Sequence, residues 1–214
     1  MPVKSAPPAS EIAGIILAGG RSSRMGSDKA LLALPDNASQ TFVERLTSLL
    51  AGLCTEVFLV ARPGEGGGEG APFPTDSRRR VVYDLVPDQG PLMGLYSGLR
   101  AISCSHALVL AVDQPFVHPA LLAWLRAFPL DERIVVPRVQ DIPQVLLARY
   151  PRALLPVIEK CLRAGRRDPR ALLHSGAPLY FWEEEDIRAI DPDLRSFVNI
   201  NTPEDYQRAI SLLT

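Results

Sequence analysis

Short apolar runs alternate with helix-length amphipathic patterns along the whole 214-residue chain, and no other feature restricts its fold as much. The runs fall at residues 14–17, 57–60, 81–83, 107–112, 134–136 and 145–148. Strands alternating with helices predict an α/β fold with a largely parallel sheet covered on both faces. Three helix starts are legible. Thr41-Phe-Val-Glu44 reads as a capping box before the stripe Phe42, Val43, Leu46, Leu49, Leu50, Leu53. Pro91 opens a second helix, with Leu92, Leu95, Leu99 and Ile102 on one face. Thr202-Pro203-Glu204-Asp205 opens a third, with Thr202 as cap, Pro203 at the first helical position and Asp205 opposing the dipole.

The segment 62–77 is rich in Gly and Pro and reads as a flexible loop. Arg78-Arg79-Arg80 behind it reads as solvated charge at a sheet edge. Residues 1–11 read as a disordered tail without the apolar run of a signal peptide. With no linker and no repeat in view, 1–214 is expected to be one domain. A net charge of −1 excludes a global basic field for nucleic acid or an anionic membrane. No apolar run reaches the roughly 20 residues of a membrane span, so a cytoplasmic location is expected. The three cysteines are far apart in apolar helical stretches and read as small core residues.

The chemistry gathers where strands end. After the first strand come Ala18, Gly19 and Gly20, small enough for backbone amides to approach an anion. Arg21, Arg24 and Lys29 come next, with Ser22 and Ser23, so amides and cations meet at a carboxyl edge, where open α/β sheets bind ligands. Lys29 has neither the spacing nor the following Ser/Thr of a Walker A loop. Asp113 ends the fourth run ahead of Gln114-Pro115. A carboxylate there suits Mg²⁺ on phosphate oxygens, though a lone strand-end Asp also serves as a cap or turn former. In Tyr83-Asp84 through Gly90-Pro91-Leu92, Gly90 permits close backbone approach, and amides at the helix start are placed to meet a base or phosphate. Asn199 and Asn201 alternate on an expected short strand and face one side.

Taken in order, these four segments resemble the molybdenum cofactor guanylyltransferase family. They carry its Leu-Ala-Gly-Gly…Ser-Arg-Met-Gly-x-Asp-Lys string, Gly-Pro-Leu-x-Gly, Asp-x-Pro and Asn-x-Asn-Thr-Pro-Glu. The resemblance implies a three-layer α/β/α fold around a mostly parallel, Rossmann-like sheet of the nucleotide-diphospho-sugar transferase type. It implies transfer of GMP from GTP to molybdopterin-bound molybdenum cofactor, with pyrophosphate released and Mg²⁺ as cofactor. Leu17, Ala18, Gly19 and Gly20 would then lie along the nucleotide. Asp84 would contact the guanosine, beside Gly90, Pro91 and Leu92. Arg24 and Lys29 would grip phosphates, and Asp113 with Asn201 would hold the metal. Asn199 and Arg167 fall on the acceptor side, although Gly165-Arg166-Arg167 on charge alone reads equally as a solvated helix end. Molybdoenzymes or their chaperones would receive the product. The competing readings are a cytidylyl- or sugar-phosphate nucleotidyltransferase of the same fold, and a non-catalytic nucleotide-binding regulator.

Overall fold

The computed structural model describes residues 12–18, 29–35, 37–62, 73, 76–129 and 131–213. The expected tail and most of the expected loop at 62–77 lie outside them. In chain order the elements are β1 (Ile12–Leu17), α1 (Phe42–Ala51), β2 (Glu56–Ala61), β3 (Arg80–Tyr83), α2 (Pro91–Ala101), β4 (His106–Ala111) and α3 (Pro119–Ala127). They continue through β5 (Ile134–Val139), β6 (Ile142–Pro143), β7 (Leu147–Pro151), α4 (Leu155–Arg163), β8 (Leu179–Glu183), α5 (Glu184–Arg188) and α6 (Pro203–Leu213).

Strand alternation divides the core into two apolar layers. Ile12 and Ile16 of β1 join Leu108 and Leu110 of β4 against Phe42, Leu46 and Leu50 of α1 and Leu121 and Leu125 of α3. Ala13, Ile15 and Leu17 turn the other way, to Leu92, Leu95 and Leu99 of α2 and Ile158 of α4. Helices thus cover both faces, as expected. The capping box of α1 is present: the Glu44 amide donates to Thr41 Oγ1 at 3.3 Å, and the Thr41 amide donates to Glu44 Oε2 at 2.8 Å. Helix α2 lies hard on the sheet because Gly98 lets it. A Cβ there would stand 2.9 Å from Ile15 Cγ2 and 3.2 Å from Val60 Cγ2.

The sheet runs β3-β2-β1-β4-β7-β5, with β8 parallel to β5 and β6 folded back on its end. From β3 to β4 all pairings are parallel, and the connections reverse direction between β1 and β4. The run expected at 145–148 begins instead at Leu147 and is antiparallel to both neighbours. Its direction is set by a tight hairpin whose turn residues, Gln140 and Asp141, both have left-handed φ of 50° and 60°.

Other expectations change. Arg79 is not solvated but 7% exposed, with its guanidinium 3.6 Å from Asp76 and 3.3 Å from Thr47 Oγ1. Phe73, inside the supposed loop, is buried in the apolar layer beneath α1. Residues 198–201 form no strand; they are anchored by the Ile200 amide donating to the Asp113 carbonyl at 2.9 Å. All three cysteines are free, and Cys54 and Cys104 lie just past helix ends rather than inside helices. No helix among the described residues is long and apolar enough to cross a membrane.

Candidate active site

Backbone bonds carry the parallel strands slightly past their ends and aim the succeeding residues at one place. The Ala18 amide donates to Val60 O at 2.9 Å, Val112 to Leu17 O at 3.1 Å and Asp84 to Ala61 O at 2.9 Å. Above these ends, where the sheet reverses direction, a cavity of about 330 Å³ opens. Leu17 and Ala18 form its floor with Val60, Gly94 closes the helix side, and Lys29, Asp84 and Asp113 supply charge. Gly90 and Pro91 line it as well. Beside it lies a second cavity of about 300 Å³, which shares Pro91, Ala111, Asp113 and Leu146 with the first. Its own walls include Gln114, Gln144, Asp168, Arg170, Asn199 and Asn201.

Asp113 lies at the junction, and Lys29 of the first cavity is near enough for its charge to act on it. Lys29 begins a short 3-10 turn, Lys29–Leu31, and its Nζ donates to Asn201 Oδ1 at 2.6 Å. Asn201 is held in turn by the start of α6: its amide and that of Thr202 both donate to Asp205 Oδ2 at 3.0 Å, while the Asp205 amide donates to Thr202 Oγ1 at 3.1 Å. Asp205 is therefore half of a reciprocal cap with Thr202, the capping role that the sequence suggests for both. Asp113 Oδ1 is buried without a hydrogen-bond partner among the described residues. Burial pushes this carboxyl above its usual range, opposed by the Lys29 charge. An orphaned carboxylate oxygen beside a phosphate-sized cavity fits a hard divalent cation, which supplies the missing partner.

Of the remaining sequence-read residues, Gly19, Gly20 and Arg24 lie outside the described residues. Leu92 is not part of the cavity: its side chain is fully buried beneath α2, and its amide donates to the Arg167 carbonyl at 2.9 Å. The Met93 amide goes to Gly90 O at 3.1 Å and Pro91 has none, so these amides are not open to an anion as the sequence suggested. Arg167 acts here through its main chain, lying so close that a Cβ on Gly90 would come within 2.9 Å of its carbonyl oxygen. Gly90 also has φ +74°, which favours glycine for a second reason. Asn201 gives its oxygen to Lys29, not to an open coordination position. Asn199 stands exposed on the second cavity.

Sequence reading missed Gly94, Arg62 and Gln114. For Gly94 a signal existed. Gly90, Gly94 and Gly98 recur every four residues, placing small groups on one face of α2. Gln114, between Asp113 and a proline, looks like a spacer.

A doubly wound sheet with charge gathered at its reversal point defines a nucleotide-handling α/β enzyme. Comparison makes the class particular. The MobA-like NTP transferase domain matches residues 14–179. A protein of Chloroflexus aggregans named probable molybdenum cofactor guanylyltransferase is 36% identical over 202 residues, covering 92% of each chain. One from Methanosarcina mazei with the same name is 36% identical over 92% of this chain and 88% of its own. Among solved structures, molybdopterin-guanine dinucleotide biosynthesis protein A from Archaeoglobus fulgidus shares the fold with a TM-score of 0.75 at 24% identity, over 94% of this chain and 98% of that one. The chain belongs to the MobA-like NTP transferase family.

Proposed function

We propose that the chain transfers GMP from GTP to the terminal phosphate of molybdopterin-bound molybdenum cofactor, with GTP in the first cavity and the acceptor in the second. The observation that carries this reading is the junction: Asp113 lies on the wall the two cavities share, and Lys29 of the first is bonded to Asn201 of the second. An acceptor phosphate oxygen forms a bond to the α-phosphorus as the bond to the bridging oxygen breaks, and pyrophosphate leaves with that electron pair. The monoester is ionised at neutral pH, so no protein base is needed. Catalysis rests on alignment and on charge placed where charge develops.

In this reading Leu17, Ala18, Gly19 and Gly20 run along the nucleotide, and Asp84 faces the guanosine beside Gly90 and Pro91. Lys29, fixed by Asn201, and Arg24 neutralise the phosphates. Asp113 would hold the divalent cation, Mg²⁺, which would supply further positive charge beside the phosphates. Asn199 and Arg167 border the acceptor. Delivery of the product to molybdoenzymes or their chaperones, in the cytoplasm, completes the reading.

A thermal-shift panel with GTP, CTP, ATP and UTP, each with and without Mg²⁺ or Mn²⁺, tests it. A ligand bound only by the native state adds about 2.7 kcal/mol at a hundredfold excess over Kd. The expected result is a shift with GTP and metal that is lost in Lys29→Ala. A larger shift with CTP would move the assignment to cytidylyl transfer, and none with any nucleotide would defeat it.

A further inference from the structure

Gln114 is 4% exposed and lies on the wall of the second cavity. Its Oε1 is buried without a hydrogen-bond partner among the described residues. A buried side-chain amide left in this state is rare and destabilising, because it has given up water for nothing. Nor is it an accident of a loose loop. The Gln114 amide donates to Ala111 O at 3.2 Å, the preceding carbonyl takes the Ile200 amide, and Pro115 is the next residue.

Asp113 on the same wall also has a buried unpartnered oxygen, assigned above to a cation; the other polar groups named here differ. Gln144 Nε2 donates to Ile142 O at 3.2 Å, Asp168 Oδ1 accepts from the Arg170 amide at 2.8 Å, and Asn201 holds Lys29. Apart from Asp113, only Gln114 among these combines deep burial with unused hydrogen-bonding capacity. A carboxamide offers an acceptor beside a donor. Its complement is a neutral edge with the opposite order, an N–H next to a carbonyl, as a pyrimidinone ring presents. An ionised group would be served poorly by one neutral amide.

We propose that Gln114 is the specificity residue of the second cavity, pairing its carboxamide with the lactam edge of a pyrimidinone-type heterocycle on the acceptor. This rests on the reading of that cavity as the acceptor side, where the ring is the pterin. The unpartnered amide is then a recognition element completed by the correct acceptor, and an acceptor lacking the N–H leaves it unpaired.

Fluorescence titration with 6-hydroxymethylpterin and its N3-methyl analogue tests the pairing, on wild type, Gln114→Met and Gln114→Glu. Methionine keeps the length without the hydrogen-bonding groups; glutamate keeps the shape without the donor. Wild type should bind the pterin at least about tenfold more tightly than Gln114→Met, and should discriminate against the methylated analogue where the variant does not. The GTP thermal shift should be unchanged, and apo Gln114→Met should melt no lower than wild type, since an unpaired buried amide has been removed. Equal pterin binding by both proteins overturns the proposal, as does failure of wild type to bind at all. Lower melting of both variants would make Gln114 structural and overturn it equally. If wild type binds pterin through Gln114 but transfers no nucleotide to molybdopterin, the proposed reaction fails while the recognition role stands.

Discussion

The two ends of β4 bury polar groups in opposite ways. At the amino end, His106 and Arg149 are 6% and 0% exposed, and the protein itself answers them. His106 Nε2 lies 2.8 Å from the Asp131 carbonyl and Nδ1 2.9 Å from Ser105 Oγ. Arg149 donates to Phe128 O at 2.6 Å and Pro129 O at 2.7 Å through its two terminal nitrogens, with its guanidinium over the Phe128 ring; only its Nε is left without a hydrogen-bond partner among the described residues. At the carboxyl end, Asp113 Oδ1 and Gln114 Oε1 are buried with no partner among the described residues. Polar burial that is answered by main chain pins a loop. On the proposed reading, an acceptor left unanswered on a cavity wall is kept for a ligand. The same strand thus joins a stabilising end to a binding end, and substitutions should separate them.

Arg149→Ala should have the largest effect, and on stability alone. It removes one of the largest fully buried side chains and two charge-assisted bonds to the 128–129 carbonyls, an expected loss of about 3–5 kcal/mol. Chemical denaturation should show that loss while the folded fraction still gives the wild-type GTP shift. A changed GTP shift would mean that the two ends are coupled.

Lys29→Ala and Asp113→Asn should act at the other end. Each is expected to lower kcat on the order of 10²–10³-fold. Asp113→Asn should also raise the melting temperature of the metal-free protein by about 2–4 °C, because it removes a buried carboxylate that burial disfavours. If instead it melts lower, Asp113 belongs with the structural polar groups and the contrast fails. Asn201→Ala should be milder, about tenfold in kcat with little change in the KM for GTP, since it frees Lys29 without removing it. Asn201→Asp, which still accepts from Lys29, should recover part of the loss; no recovery would deny Asn201 its positioning role.

How far this contrast was legible in sequence depends on how local the cause is. Strands β1 to β4, the Thr41 cap and the placement of Lys29, Asp84 and Asp113 at strand ends are dictated by runs and turn residues a few positions apart. The antiparallel course of β7 depends on a hairpin whose turn residues, Gln140 and Asp141, are not the usual Asn-Gly pair. Strand β8 has no alternating pattern, with Leu179, Tyr180 and Phe181 all half-buried. Arg79 is buried by Asp76 and Thr47, of which Thr47 is distant in sequence. Leu92 was drawn into the site by its motif neighbours, and only the fold reveals that its amide meets Arg167. Gln114 is harder still, because an unanswered amide is a property of its surroundings.

The smallest expected effect is a pH dependence confined to the amino end of β4. Burial, the leading cause, holds the His106 imidazole below its ordinary 6.5; the bond to Asp131 opposes this and the Arg149 charge assists it. Above pH 6.5 neither the folded nor the unfolded histidine carries the proton, so nothing is lost. As the pH falls below 6.5 the unfolded chain takes up a proton that the folded one refuses, and stability declines until the lower folded pKa is passed. The slope from this one group is at most about 1.4 kcal/mol per pH unit. Urea unfolding of wild type and His106→Gln at pH 7.5 and 5.5 isolates it, since the acidic groups contribute to both proteins alike. Wild type should lose more stability than the variant between the two pH values. Equal losses would show that His106 takes up its proton alike in the folded and unfolded states, with its bond to Asp131 balancing burial, and the amino end would then hold its charge by the same means that Arg149 does.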